Sequence, residues 1–282
     1  MRFRSCDVLR SGLLQQIPGR HFVRNLVERR TLLWELVRRD FELRYKGSVA
    51  GWLWGVIHPL VLLASYTFVF SICLRQKPGP GEVTQNFPLF LFAGMLPWLL
   101  FSETVQRSAT SMLDQANLIT KTVFPAEVVP IAIFLSSLVS HALAVVLALA
   151  GAMIFLHQIT PAVFLLPAVL VILGLFSVGL AWVAAGLQVY LRDTAQVISV
   201  IFTLWFWVTP IFLSEQRFPQ QVRFLLILNP LAPVVRAYRN MLLGGPWPNL
   251  QGLAVAGLWA LAAFIAGGLF FRQMKRGFAD VL

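Results

Sequence analysis

The chain has 282 residues, 58% of them hydrophobic and 12% charged, with 23 Lys+Arg against 12 Asp+Glu for a formal net charge of +11. An ordinary soluble domain carries ~25% charged residues, so this composition excludes one and points to a chain that lives in a bilayer. Two cysteines, Cys6 and Cys73, and four scattered histidines exclude a disulfide scaffold and a Cys/His metal cluster.

Residues 1–50 form a basic leader with eleven Lys+Arg and five acids. No secretory signal peptide is visible, because the first long apolar run begins only at Trp52. From His21 to Lys46 the spacing predicts an amphipathic helix. At ~100° per residue, Leu26, Leu33, Trp34, Val37 and Phe41 share one face, with Arg30 a misfit there, while Glu35, Arg38, Arg39 and Glu42 share the other. Such a helix lies in the headgroup region, either as a plain anchor or as a lever docked on a cytoplasmic partner. Gly47, Gly51 and Gly55 follow at intervals of four. If the helix continued, they would present a groove for a close helix approach, within the chain or to a second subunit.

Six apolar stretches come next: Trp52–Leu74, Pro88–Arg107, Val128–Leu156, Ala162–Tyr190, Ala195–Leu213 and Leu250–Phe271. Each is near or above the ~20 residues that cross a hydrocarbon core as a helix. The predicted fold class is therefore an all-α polytopic membrane protein with six transmembrane helices behind an N-terminal interfacial helix. Between the fifth and sixth stretches, Phe224–Leu243 is moderately apolar but broken by Asn229-Pro230 and Pro233. As a seventh span it would carry Arg236 and Arg239, at ~2.5–3.5 kcal/mol each. It reads instead as two short re-entrant helices in the outer leaflet, packed against protein. With six spans, 17 of the 23 basic residues fall on one side, which makes the leader, the tail 272–282 and both termini cytoplasmic.

Several kinds of chemistry are missing. There is no Gly-Lys dipeptide, hence no phosphate-binding loop of the Walker type, and no H-E-x-x-H, C-x-x-C or G-x-S-x-G. Catalytic residues and metal ligands are therefore not expected. Glu103 is the one clear acid inside a span, four residues before Arg107 in the favourable i,i+4 order. His141 lies mid-span and reads as a hydrogen-bonded packing residue. An ion-coupled carrier places several ionisable groups at mid-membrane, and this chain does not. Work across the membrane needs a partner.

Short motifs appear in order along the chain: Arg39-Asp40, Arg44-Tyr45, Gly47-Ser48, Gly51, Trp54 and Pro59; Phe92-Ala93-Gly94-Met95-Leu96-Pro97-Trp98; Asn117-Leu118-Ile119, Lys121 and Phe124-Pro125. Arg192-Asp193, Thr209-Pro210-Ile211, Asn229-Pro230-Leu231, Tyr238-Arg239 and Phe278-Ala279-Asp280 complete the series. Over about residues 30–282 this resembles an ABC-2-type permease of the polysaccharide-export group, which moves O-antigen, capsule or teichoic acid chains. The resemblance implies a homodimer in the cytoplasmic (inner) membrane, driven by two copies of a separate ATPase that binds the ATP and Mg. It implies no cofactor in this chain and no nucleic-acid partner; the partners are the ATPase, lipid-linked polysaccharide and membrane lipids.

It also implies that Asp114, Gln115, Asn117, Leu118, Ile119 and Lys121 form a coupling helix seated on the ATPase. The interface helix, with Leu33, Trp34, Val37, Arg38, Arg39 and Phe41, is a second contact. A glycan path needs flat aromatic faces without deep polar wells. Trp98 and Phe101 in the second span, with Phe202, Trp205, Phe206 and Trp207 in the fifth, are the densest candidates; Trp182 and Trp259 read as packing or lipid-facing residues. O-antigen is the leading cargo, ahead of capsule or teichoic acid and of a small-molecule or drug exporter. A membrane glycosyl- or acyltransferase would need clustered His, Asp or Glu at one membrane face, and the clusters are absent.

Overall fold

The computed structural model describes residues 30–121 and 124–281, so the part of the predicted leader helix before Arg30, Leu26 included, lies outside the described residues. No strand occurs among the described residues. Helix α1 spans Arg30–Tyr45, α2 Trp54–Tyr66 (continued by a wider π-turn over Thr67–Cys73), α3 Phe87–Asp114, α4 Ala116–Lys121 and α5 Val128–Leu156. Next come α6 Leu166–Tyr190, α7 Thr194–Val208, α8 Phe224–Leu228, α9 Leu231–Leu242, α10 Leu250–Met274 and α11 Phe278–Val281. Five segments are long and apolar enough to cross a membrane: Gly51–Cys73, Phe87–Asp114, Val128–Leu156, Pro161–Tyr190 and Leu250–Gly277.

The fifth predicted stretch differs. Helix α7 stops at Val208 instead of Leu213, because Thr209 precedes Pro210 and takes an extended backbone (ψ 135°). At ~1.5 Å per residue its 15 residues cover only ~22 Å. The second predicted stretch differs the other way. Helix α3 runs seven residues past Arg107 to Asp114, so Asp114 ends a long helix and does not open the short α4.

Helix α3 is the hub. It packs on α5, α6, α7 and α9, and nearly every residue from Phe87 to Phe101 is buried. Its start is capped by the Asn86 side chain, which accepts from the Leu89 N–H, with Pro88 in the first turn where a missing N–H costs nothing. Helices α6 and α10 make the most extensive pair. A Cβ on Gly179 would come 2.5 Å from the Ala263 carbonyl, and one on Gly267 would overlap the Gly179 carbonyl. Small residues here let two backbones touch, the usual route to tight packing between apolar helices.

Helix α1 lies across the end of α3, with Leu36 and Val37 buried against Val128 and Ala132 of α5. The packed face thus runs through Leu32, Leu33, Leu36 and Val37, and Trp34, predicted to share a face with Leu33 and Val37, is instead 69% exposed. The helix does not continue through the glycines: Gly47 (φ 78°) and Gly51 (φ 52°) are left-handed and turn the chain into α2. Gly55 alone makes a close approach, to Ser140 of α5.

Candidate functional site

Three groups of side chains stand out, one at each end of α3 and one between. At the α1 end, Asp40 accepts two hydrogen bonds from Arg107 Nη2 at 2.8 Å, a charge-assisted contact between α1 and α3. Arg107 Nη1 lies 3.5 Å from Glu103 Oε1, confirming the predicted i,i+4 pair. Arg44 of α1 reaches the same carboxylate oxygen at 2.5 Å, and Ser137 of α5 donates to it at 2.7 Å. All four charged side chains are between 23% and 28% exposed, so solvent screening is only partial. Asp40 and Arg44 were invisible to local spacing because some sixty residues separate them from their partners.

The predicted coupling segment lies beside this cluster. Arg39 Nη2 donates to Gln115 Oε1 at 3.2 Å, so α1 and the predicted coupling segment are tied to each other. Asp114 and Asn117 are exposed, Ile119 is half-buried against the core, and α11 packs on α4. The side chains of Leu118 and Lys121 lie outside the described residues. Arg38 is spent on an exposed pair with Glu42 at 2.7 Å.

Midway along α3, five of the six predicted aromatics meet, while Trp207 is 55% exposed and, among the described residues, its ring meets only those of Phe206 and Phe212. Trp98 touches Phe101, Phe202, Trp205 and Phe206 at ring-centroid distances of 5.7, 5.8, 6.3 and 5.4 Å. Phe101 stacks on Phe176 of α6 at 5.5 Å, a ring that spacing did not single out. Phe101 is fully buried, Trp98 and Phe202 are 6% exposed, and Trp205 and Phe206 are half-buried. Trp205 Nε1 donates to Asn229 Oδ1 at 3.1 Å, and Asn229 Nδ2 donates to Thr209 Oγ1 at 3.0 Å. One hydrogen-bonded knot thereby joins the Thr-Pro and Asn-Pro motifs. His141, as expected, is a buried packing residue, hydrogen-bonded to Tyr238 at 3.0 Å. Trp182 is buried too, donating to the Glu127 carbonyl, whereas Trp259 is 48% exposed.

At the α9 end, Arg239 is 3% exposed. Its guanidinium lies 3.6 Å from the Phe90 ring centroid and donates to the carbonyls of Phe90 (3.2 Å) and Ile211 (2.6 Å). A Cβ on Gly94 would come 2.7 Å from its Nη2, so the glycine makes room for the arginine. The charge that counted against a seventh span is here packed against protein, and its burial is met by hydrogen bonds and ring stacking. Nearby, Arg236 pairs with Glu215 at 2.9 Å; burial pushes the Glu215 carboxyl above its ordinary range, against the pull of Arg236 and Arg239. Among the described residues, no group of His, Cys, Asp and Glu is arranged to hold a metal.

A hub helix tied on one side to α1, at its other end to α9, and flanked by apolar spans defines a multi-pass membrane protein. Residues 31–243 match the family model for the ABC-2 type transporter, and the chain belongs to that family as a membrane permease subunit. It is 31% identical to the O-antigen export system permease protein RfbA of Myxococcus xanthus over 92% of this chain and 98% of that protein. The namesake in Klebsiella pneumoniae is 27% identical over 89% of this chain and 95% of its own. The polysialic acid transport protein KpsM of Escherichia coli is 23% identical over 85% and 92%.

Proposed function

We propose that this chain is the permease subunit of an exporter that moves lipid-linked surface polysaccharide, O-antigen in the leading reading, across the cytoplasmic membrane. A separate ATPase supplies the energy. The observation that carries it is the end-to-end likeness to the Myxococcus O-antigen permease. The likeness to the polysialic acid transporter, lower in identity, supports capsule as the second reading.

In this reading residues 51–275 form the transmembrane domain. Helix α7 is a sixth, short span, α8 and α9 dip into the outer leaflet, and both termini are cytoplasmic. Two copies of the chain form one path, onto which Trp205 and Phe206 present their open faces. Trp98, Phe202 and Phe101 stand behind them. The segment from Asp114 to Lys121, with α1 beside it, receives the ATPase.

Deleting the chain should leave lipid-linked glycan trapped inside the cell and strip it from the surface. Normal surface glycan in the deletion strain rejects the function. Cysteine labels at Gln76 and Gln220 should react from outside and those at Gln115 and Gln273 only from inside. Outside labelling of Gln273 in intact cells rejects the six-span topology.

A further inference from the structure

A cavity of about 490 Å³ opens between the start of α2 and the facing sides of α3 and α5, within the ~300–1,000 Å³ range of small-molecule sites. Its walls are of three kinds. Leu96, Leu99, Leu100 and Ala144 make an aliphatic floor, and Tyr45 and Trp54 stand as aromatic sides. Glu103, Gln106, Arg107, Ser102 and His58 supply polar atoms. His58 is exposed on an otherwise apolar helix, and a polar ring at membrane depth is tolerated where it meets a polar cavity.

Charge narrows the ligand. Arg44 and Arg107 are the two cations at the cavity, and each already faces a carboxylate: Arg44 pairs with Glu103, and Arg107 with Glu103 and with Asp40. With Asp40, which pairs with Arg107 from outside the lining, two positive and two negative charges cancel, so the cavity offers no net positive charge to a phosphate. What remains is a set of polar groups, Gln106, Ser102 and His58 beside the paired charges, next to flat rings. That lining suits a neutral polyhydroxylated ring, whose hydroxyls hydrogen-bond to planar Gln, Glu and Arg groups while its C–H face lies on an aromatic. We propose that this cavity is a sugar-binding subsite that takes uncharged sugar units of the cargo on the α1 side of the membrane, before the chain reaches the aromatic cluster. The inference rests on the polysaccharide-export reading. It makes Gln106, Ser102 and His58 specificity residues for the sugar, distinct from the lipid and its phosphates.

The test uses full-length protein together with its ATPase in inverted membrane vesicles. In a background with Cys6→Ser and Cys73→Ser, Gln106→Cys is labelled by a small maleimide. Two probes compete with it: the cells' own glycan freed of lipid and phosphate by mild acid, and a polyprenyl diphosphate carrying no sugar. The free glycan should slow labelling several-fold and the sugarless lipid should not. In parallel, Ser102→Leu with Gln106→Leu should lower glycan export at normal protein abundance. Protection by the sugarless lipid alone, or by both probes equally, overturns the proposal in favour of an anionic headgroup site. No protection by either probe, in vesicles whose unsubstituted protein exports glycan, also overturns it. If those vesicles export no glycan at all, the functional reading fails instead.

Discussion

Helices α2 and α3 are neighbouring apolar segments of opposite fate. In α3 most residues are buried, and it is the least apolar of the five long helices. In α2 only Gly55 is buried, with Leu60, Val61 and Phe68 left exposed in a single chain. The comparison teaches that hydropathy in a membrane protein reports contact with lipid or with another subunit, not membership of the protein core. Inside a bundle there is no hydrophobic gain over lipid, so small and weakly polar residues do the packing. Helix α3 shows this in its Gly94, Ser108 and Ser111, and in Thr104, whose hydroxyl returns to the Leu100 carbonyl at 2.7 Å.

If α3 is the structural hub, damage there should cost most, beginning at Arg239. Arg239→Ala leaves the Ile211 carbonyl without its donor and empties a sealed space against α3. The expected loss is on the order of 4 kcal/mol, enough to deplete folded protein from membranes on an immunoblot. Gly94→Val should do the same by crowding the guanidinium. Normal abundance of both variants would break the account of this lock.

Next comes Phe101, fully buried between Phe176 and Phe202. Phe101→Ala should cost ~3 kcal/mol and lower abundance, while Ala at the half-buried Trp205 or Phe206 should lower export more than abundance. Equal loss of abundance at all three would make the whole cluster structural.

A smaller effect is expected at the joint between α1 and α3. Asp40→Ala removes both hydrogen bonds to Arg107 but leaves Glu103 in place, for ~1–3 kcal/mol at most. Exchanging the charges, Asp40→Arg with Arg107→Asp, should recover thermal stability in detergent. A double exchange no better than Asp40→Ala would show that the geometry around Glu103, rather than the pair, holds α1.

The smallest effect on folding belongs to α2. Val61→Ala and Phe68→Ala should change stability by no more than about 0.5 kcal/mol in a single chain. Cysteines at the same positions should cross-link two copies if α2 meets its counterpart in a dimer. A large drop in abundance at either site, with no cross-link, would place the helix inside the bundle.

Much of the candidate site was legible in the residues. The density of rings on two stretches singled out Trp98, Phe101, Phe202, Trp205 and Phe206 as candidates for a path, and the structure brings these five into contact with one another. Spacing also found the Glu103–Arg107 pair, because i,i+4 neighbours meet on any helix. It missed Asp40 and Arg44, and it placed Trp34 on the packed face. Periodicity fixes which residues share a side of a helix but leaves open how far that side is rolled toward its neighbour. For α1 a roll of a fraction of a turn brings Leu36 inward and leaves Trp34 out.

By itself, then, the sequence determined that this chain is helical, where its long apolar helices lie and that no nucleotide loop is present. These follow from local rules: backbone hydrogen bonds must close within each segment in lipid, and proline and glycine act where they stand. Tertiary structure alone decided which apolar helix is the hub, that Arg239 is sealed against Phe90 and Ile211, and that Gly94 is the space it needs. Those outcomes depend on contacts between residues from about thirty to about a hundred and fifty positions apart, and in an apolar solvent hydrophobicity does not rank one such packing above another.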